Sequence, residues 1–215
     1  MYEADGKSKG TFCRRMDDIR KTQESFARKA QTQPEHRFGD LYHLICCEDW
    51  IRSALEKVLS NPGSRTAGVD KISRKHLKED EQKTAFVQTL QAELKGGTYR
   101  PQPVKRRWIP KANGKQRPLG IPTLKDRVVQ MTLKMLLEPI WESDFLGCSN
   151  GFRPRRRTMD SIAVCRSRIT TQNKYLWVVE GDIQGCFDHV QHEILLKLVK
   201  QRVQDKRVIT LIETM

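Results

Sequence analysis

The sequence lacks any long run of apolar residues. No stretch approaches the roughly 20 apolar residues that a transmembrane helix requires, so we do not expect a membrane protein. The N-terminus carries Glu3, Asp5, Lys7 and Lys9. Since these charges leave no apolar signal core, secretion is not expected. We therefore predict a protein of the bacterial cytoplasm or of an organelle matrix.

A C-x-x-C pair is also missing, although the chain has six cysteines. The adjacent Cys46 and Cys47 cannot close a normal zinc site between them. We expect all six to be reduced thiols packed as small apolar groups. They are Cys13, Cys46, Cys47, Cys148, Cys165 and Cys186.

Positive charge is abundant and unevenly distributed. The chain has 40 Lys and Arg against 26 Asp and Glu, a net charge of +14. Residues 95–157 hold fifteen basic and four acidic side chains, so 15 − 4 = +11 of that excess lies in one central segment. Such clustering favours a polyanion, with nucleic acid as the leading candidate. A solvated basic surface without a partner is the alternative, and an anionic membrane fits less well because the basic residues do not line one amphipathic helix.

Hydrophobic periodicity predicts a mostly helical chain. Residues 1–38 are polar and resemble a loosely held lead-in, with a weak helix candidate at 14–29. Apolar residues at helical spacing predict a helix over 41–59, which stops at Asn61-Pro62-Gly63. Further helices are predicted at 84–95, from Thr123 onward with Pro139 kinking or ending it, near Thr158, and from about His189.

Two extended segments, 104–110 and 116–122, flank Asn113-Gly114, the dipeptide that best suits a tight hairpin turn. Lys111 and Arg117 lie on either side of this turn. Their side chains suit the binding of phosphate oxygens, and a guanidinium holds them in a fixed geometry. A hairpin that only contacts solvent is the competing interpretation.

β-Branched and aromatic residues dominate the short run at 175–179, which predicts a buried strand. Asp182 follows it, and a carboxylate held at a strand end suits Mg²⁺ in phosphoryl transfer. A helix cap or turn explains the same pattern. His189 and His192 have a spacing that could chelate a metal, although the first turn of a helix is the simpler interpretation.

Four ordered blocks resemble group II intron reverse transcriptases. They are residues 65–70 (RTAGVD), 109–122 (IPKANGKQRPLGIP), 150–154 (NGFRP) and 181–188 (GDIQGCFD), preceded by a similar lead-in at 37–42 (RFGDLY). The resemblance implies an α+β fold with reverse transcriptase-like fingers and a partial palm: helices, a basic β-hairpin and the first palm strand. It also divides the chain into a lead-in at 1–38, fingers at 39–172 and the start of the palm at 173–215.

The resemblance implies roles for individual residues. Asp182 would bind catalytic Mg²⁺ with the backbone carbonyl of Ile183, and Lys111 and Arg117 would hold the triphosphate of a dNTP. Phe187 would exclude a 2′-hydroxyl. The implied polymer partners are group II intron RNA and an RNA template with a DNA primer. The neighbouring arginines suit contacts to the nucleic-acid backbone: Arg153, Arg155, Arg156 and Arg157.

The sequence departs from the family pattern in two ways. Arg156 and Arg157 stand where small or polar residues are usual, and the paired-aspartate palm motif and the thumb are absent. Because a two-metal mechanism needs several carboxylates, we expect no polymerase activity from this chain alone. The chain is then a fragment, the product of a truncated gene or one half of a split enzyme, and in the last case a companion chain would supply the remaining palm and thumb. The alternatives are a non-catalytic maturase fragment that binds intron RNA, and an RNA-templated RNA polymerase using Asp182 and Asp188, against which the bulky Phe187 argues.

Overall fold

The computed structural model describes residues 6–110, 114–169, 175 and 177–215, with side chains from residue 17 onward. Within these ranges the chain forms α-helices, short 3₁₀ helices and one antiparallel hairpin. The helices are α1 (Gly6–Thr32), α2 (Tyr42–Ile45), α3 (Glu48–Ser60), α4 (Asp80–Lys95), α5 (Leu124–Trp141), α6 (Thr158–Ile169), α7 (His192–Arg202) and α8 (Lys206–Glu213), and the strands are β1 (Lys105–Pro110) and β2 (Gln116–Ile121).

The core lies where α3 packs against α5, with α1 and α4 on its flanks. Helix α3 buries Ile51, Ala54, Leu55 and Val58, which recur at helical spacing on one face. Each fully buried Leu or Ile side chain stabilises the fold by roughly 1.5–3 kcal/mol relative to its exposure. The central core is therefore built from helices on both sides of the hairpin in sequence, since α3 precedes it and α5 follows it.

The N-terminal lead-in differs from the expected loose segment. Helix α1 extends well beyond the predicted 14–29 and packs along α5. Ile19 and Ala30 are buried there, and the Gln23 Nε2 donates to the Met135 carbonyl at 2.6 Å. A few apolar residues on one face are enough to hold this polar helix against the core. The polar composition of residues 1–38 gave no sign of this packing.

The predicted helix at 41–59 is interrupted. Cys47 has an extended backbone (ψ 129°) and separates α2 from α3. The predicted start of α4 was four residues late, because Glu79 and Gln82 form a capping box that begins the helix at Asp80. The helices predicted near Thr123 and Thr158 are confirmed, and Pro139 lies within the last turns of α5.

The predicted buried strand at 175–179 is wrong for the residues described there. Tyr175 and residues 177–180 have no strand structure, and Trp177 and Val179 are 92% and 98% exposed. A strand requires a neighbouring strand for its backbone hydrogen bonds, and β1 and β2 pair only with each other in the described chain. The described residues of this run are thus exposed and irregular.

The C-terminal helices α7 and α8 attach to the rest of the described chain through the block at residues 37–42. Phe38 pairs with Val203 as an isolated parallel bridge, in which the Phe38 N–H donates to the Arg202 carbonyl at 2.7 Å. The buried Arg202 forms an ion pair with Asp144 at 2.9 Å. These bonds join residues far apart in sequence and hold the end of α7 against residue 38 and against the segment that follows α5.

The structure also bears on the predictions for the cysteines and for membrane-spanning helices. The five cysteines with described side chains are free thiols, but only Cys46 is fully buried, while Cys148, Cys165 and Cys186 are exposed. Burial raises the pKa of the Cys46 thiol. Among the helices described, none is both long and apolar enough to cross a membrane.

Candidate nucleic-acid and nucleotide interface

The predicted basic hairpin is present, with β1 and β2 paired from Lys105–Ile121 to Pro110–Gln116. Because side chains alternate along a strand, one face presents Lys105, Arg107 and Arg117. The other face presents Trp108, with the Arg106 guanidinium 6.0 Å from its ring centroid. Nearly every residue of both strands is exposed, so the hairpin is an arm with solvent on both faces.

The turn of this arm is described only from Gly114 onward. Gly114 has a φ of +76°, a conformation that favours glycine and agrees with the predicted Asn-Gly turn. Lys111 lies outside the described residues, so its predicted triphosphate contact stays a prediction. Arg117 lies at the tip end of β2 and is exposed.

A buried carboxylate anchors both ends of the arm. Asp126, which is 2% exposed, accepts hydrogen bonds from the Tyr99 hydroxyl at 2.7 Å, the Gln102 N–H at 3.2 Å and the Thr123 hydroxyl at 2.6 Å. Tyr99 and Gln102 precede β1, whereas Thr123 follows β2 and caps α5. Burial and the neighbouring carboxylate raise the pKa of Tyr99, so its phenol remains a donor.

The block at residues 65–70 packs against the base of the same arm. A Cβ on Gly68 would lie 2.8 Å from the Thr123 Cα, so only glycine permits this close backbone approach. The Arg127 guanidinium donates to the carbonyls of Gly63 and Thr66, each at 2.8 Å, and to that of Pro122 at 3.0 Å. The first two family-like blocks are therefore one structural unit.

The segment at 153–157, here called the arginine loop, contains two kinds of arginine. Arg153 is nearly buried, forms an ion pair with Glu142 at 2.8 Å and lies 5.0 Å from the Phe145 ring centroid. It also donates to two loop carbonyls, those of Leu146 and Ser149. This guanidinium holds the loop together, and it would have to leave these bonds to contact a phosphate.

The other three arginines of the loop are exposed. Arg155 has a φ of +58°, and Arg157 reaches the Asp160 carboxylate only at 3.9 Å. Phe152, beside them, is fully exposed. Exposed guanidinium groups next to an aromatic ring are suited to the backbone and bases of a nucleic acid.

Asp182 lies in an irregular, exposed segment that ends in a turn and the 3₁₀ helix Phe187–His189. Its carboxylate has no hydrogen bond or ion pair to any described residue. Carboxylate and carbonyl oxygens at Asp182 and Ile183 are the donor types that Mg²⁺ prefers. In the described part of the chain, however, no three metal-ligating side chains lie together, so these two residues amount to a partial coordination shell.

Sequence reasoning missed the residues that position the arm. The hydrogen bonds of Asp126 and Arg127 hold the base of the hairpin, and the sequence analysis assigned these residues no role. A signal was present: Thr123 and Asp126 have the Ser/Thr-x-x-acid spacing of a helix N-cap. That spacing predicts the cap, but not the additional bonds to Tyr99 and Gln102.

Comparison with known proteins gives a family match over most of the hairpin and the segments that follow it. A family model described as reverse transcriptase (RNA-dependent DNA polymerase) matches residues 109–214. The matched segment contains Arg117, the arginine loop and Asp182. It begins inside β1 and extends past the end of α8.

The relatives found include proteins of group II introns. The chain is 41% identical over 196 residues to Protein YkfC of Escherichia coli (strain K12), covering 90% of the chain and 51% of YkfC. It is 33% identical over 190 residues to the group II intron-encoded protein LtrA of Lactococcus lactis subsp. cremoris, covering 88% of the chain and 30% of LtrA. A match of 38% identity joins 43% of the chain to 13% of the nuclear intron maturase 1, mitochondrial, of Arabidopsis thaliana. The chain thus spans only part of each relative.

Proposed function

Because this chain belongs to the group II intron reverse transcriptases and maturases, we propose that it is the substrate-binding front part of an RNA-directed DNA polymerase. In this role it binds an RNA template annealed to a DNA primer, together with a dNTP and Mg²⁺. It supplies the fingers and the first palm carboxylate. Catalysis requires further carboxylates from a companion chain or segment.

The exposed hairpin within the matched region is the observation that supports this function most strongly. An isolated two-stranded hairpin is marginally stable in water, yet this one leaves both faces open. The face with Arg107 and Arg117 suits phosphates, and the face with Trp108 suits stacking on a base. A bound nucleic acid would cover both faces and stabilise the arm.

The nucleotide is proposed to lie between the arm and the segment that carries Asp182. Arg117 and Lys111 would hold the triphosphate. Phe187, which is 90% exposed and has no ring partner among the described side chains, would lie under the sugar and exclude a 2′-hydroxyl. The proposal therefore favours deoxynucleotides over ribonucleotides.

Asp182 would hold Mg²⁺ with the Ile183 carbonyl. The bound metal would activate the attacking primer hydroxyl and stabilise the leaving pyrophosphate. One carboxylate is too few for two metal ions, which is why the chain alone is expected to be inactive. The exposed apolar side chains around Trp177 provide a surface on which the companion palm would pack.

Primer extension on an RNA template tests this function. The 215-residue chain alone should extend no primer, and adding a polypeptide with the missing palm and thumb segments should restore extension. In the restored system Asp182→Asn should abolish synthesis, because an amide cannot replace the anionic metal ligand. Glu193→Gln, an exposed carboxylate in α7, is the matched control and should leave synthesis unchanged. Full synthesis by Asp182→Asn would refute the assignment.

A second function, binding of intron RNA without catalysis, is favoured by the arginine loop. Arg155, Arg156 and Arg157 are exposed and stand on one short segment. Three adjacent guanidinium groups suit a folded RNA, whose phosphates crowd together. This maturase-like role would operate with or without a companion chain.

Filter binding to a structured group II intron RNA tests the second function. Arg155→Gln, Arg156→Gln and Arg157→Gln together should weaken binding by about 10-fold, because about three phosphate contacts are lost. The matched control replaces Arg20, Lys21 and Arg28 of α1 with glutamine. Equal losses in the two triple variants would argue against the arginine loop as an RNA contact.

A further inference from the structure

A second basic surface, which contains no residue of the hairpin, lies between the end of α3 and the start of α4. It is a cavity of about 770 Å³, lined among others by Glu56, Arg65, Arg74, Lys75, Lys78 and Lys83. We call it the basic groove. Of the family-like blocks, only the one at residues 65–70 contributes to its lining, through Arg65.

Most of the positive charge in the basic groove has no acidic partner in its lining. Glu56 is the one acidic residue of its lining, and it pairs with Lys83 at 3.4 Å. Lys83 also lies 3.6 Å from Asp80. Arg65, Arg74, Lys75 and Lys78 are exposed and form no ion pair with any described residue. Four cations around one cavity repel each other, and a polyanion would relieve that repulsion.

The groove has a fixed shape. Leu59 and Leu77 are 9% and 7% exposed and form its apolar floor. The segment 73–77 is a short 3₁₀ turn in which the Ser73 N–H donates to His76 Nδ1 at 3.1 Å. Ser73 and Leu77, which are 6% and 7% exposed, anchor the two ends of this turn. The basic side chains therefore stand on a rigid rim.

We propose that the basic groove binds the phosphodiester backbone of RNA at a site separate from the hairpin. The inference rests on the proposed function only in taking RNA as the polyanion. Arg74, Lys75 and Lys78 would each contact a phosphate, and Arg65 would extend the track toward the base of the hairpin. Such contacts position an RNA strand without reading its sequence.

Salt-dependent RNA binding by the full chain tests the groove. Replacing Arg74, Lys75 and Lys78 with glutamine should lower the slope of log affinity against log salt by about 2, and weaken binding at ~100 mM salt by about 10- to 100-fold. The matched control replaces Lys21, Arg28 and Lys29 of α1, again one arginine and two lysines, and should change the slope much less. Arg74→Lys keeps the charge and should keep most of the affinity. Equal effects of the two triple variants would overturn the proposal.

Lysine acetylation footprinting of the unmodified chain gives a site-specific measurement. RNA should protect Lys75 and Lys78 more than Lys21 and Lys29, and poly-glutamate at matched ionic strength should not. Protection by poly-glutamate to the same extent would identify an acidic-protein site and overturn the proposal. If RNA protects Lys105 in the hairpin but not Lys75, the groove inference fails and the proposed function stands. If it protects neither, both fail.

Discussion

At the scale of single residues, the candidate site depends on buried residues that hold the hairpin in place. Asp126 holds the segments before and after the hairpin, and Gly68 allows the 65–70 block to approach the base of the hairpin. Both act by fixing backbone positions. Replacing either residue should therefore lower the free energy of unfolding directly, and should weaken nucleic-acid binding only as a consequence.

Asp126→Ala should lower the free energy of unfolding by about 3 kcal/mol, because it leaves buried donors unsatisfied. Tyr99→Phe removes one of these donors and should cost about 1 kcal/mol. Urea unfolding followed by circular dichroism measures both. Equal stability of Asp126→Ala and the parent would show that the carboxylate does not anchor the arm.

Gly68→Ala should destabilise the chain by about 1–3 kcal/mol, since the new methyl group would push against the backbone at Thr123. Gly147→Ala is the matched control, because a Cβ there meets nothing within 4 Å. Thermal unfolding of the two variants compares them directly. A neutral Gly68→Ala would mean that the 65–70 block does not pack as described.

Some single residues were predictable from sequence and others were not. Thr123 was predicted to open a helix, and it is the N-cap of α5. The four arginines at 153–157 looked equivalent in sequence. Arg153 differs from the others because Glu142 and Phe145 lie beside it, and sequence spacing does not reveal such partners.

At the scale of elements, one carboxylate joins two helices from opposite ends of the chain. Asp205 accepts from the N–H groups of Leu41 and Tyr42, at 2.7 and 2.8 Å, and from those of Arg207 and Val208, at 3.0 and 3.3 Å. Burial alone would raise the pKa of Asp205, but these four donors outweigh burial and hold it below its usual value. The ionised form therefore stabilises the folded state.

A lowered pKa in the folded state fixes the direction of the pH dependence. The stabilisation from Asp205 is complete above the unfolded-state pKa of about 4 and is lost as pH falls through the lower folded-state pKa. At pH ~7, Asp205→Asn should lower the free energy of unfolding by about 1 kcal/mol, because a neutral amide accepts weaker hydrogen bonds than the carboxylate from the four N–H groups. The difference from the parent should shrink below pH ~4 in urea unfolding series.

Glu35→Gln, an exposed side chain, is the control for a change in net charge. If the difference in the free energy of unfolding between Asp205→Asn and the parent increased as the pH fell, the pKa of Asp205 would not be lowered in the folded state.

Elements built from local contacts were predicted better than those that need distant partners. The helices and the hairpin follow from periodicity and an Asn-Gly turn, and they are present. The strand expected at 175–179 has no neighbouring strand in the described chain, and Tyr175 and residues 177–179 are exposed instead. The break at Cys47 escaped prediction because the apolar spacing continues across it.

At the scale of the whole molecule, charge is organised in space rather than along the sequence. The central segment supplies the hairpin and the arginine loop, as predicted. The basic groove instead draws its cations from residues 65–83, within the nearly neutral stretch at 41–94. The net charge of this stretch did not reveal the groove, because most of its acidic side chains lie outside the groove lining.

Binding of the chain to an RNA template annealed to a DNA primer, measured across a KCl titration, tests the central claim most directly. The account predicts that affinity falls on the order of 100-fold between ~50 and ~200 mM salt, because several phosphates are neutralised. Arg107→Gln with Arg117→Gln should weaken binding further at every salt concentration. Absence of binding at low salt, or affinity that does not change with salt, would contradict the account.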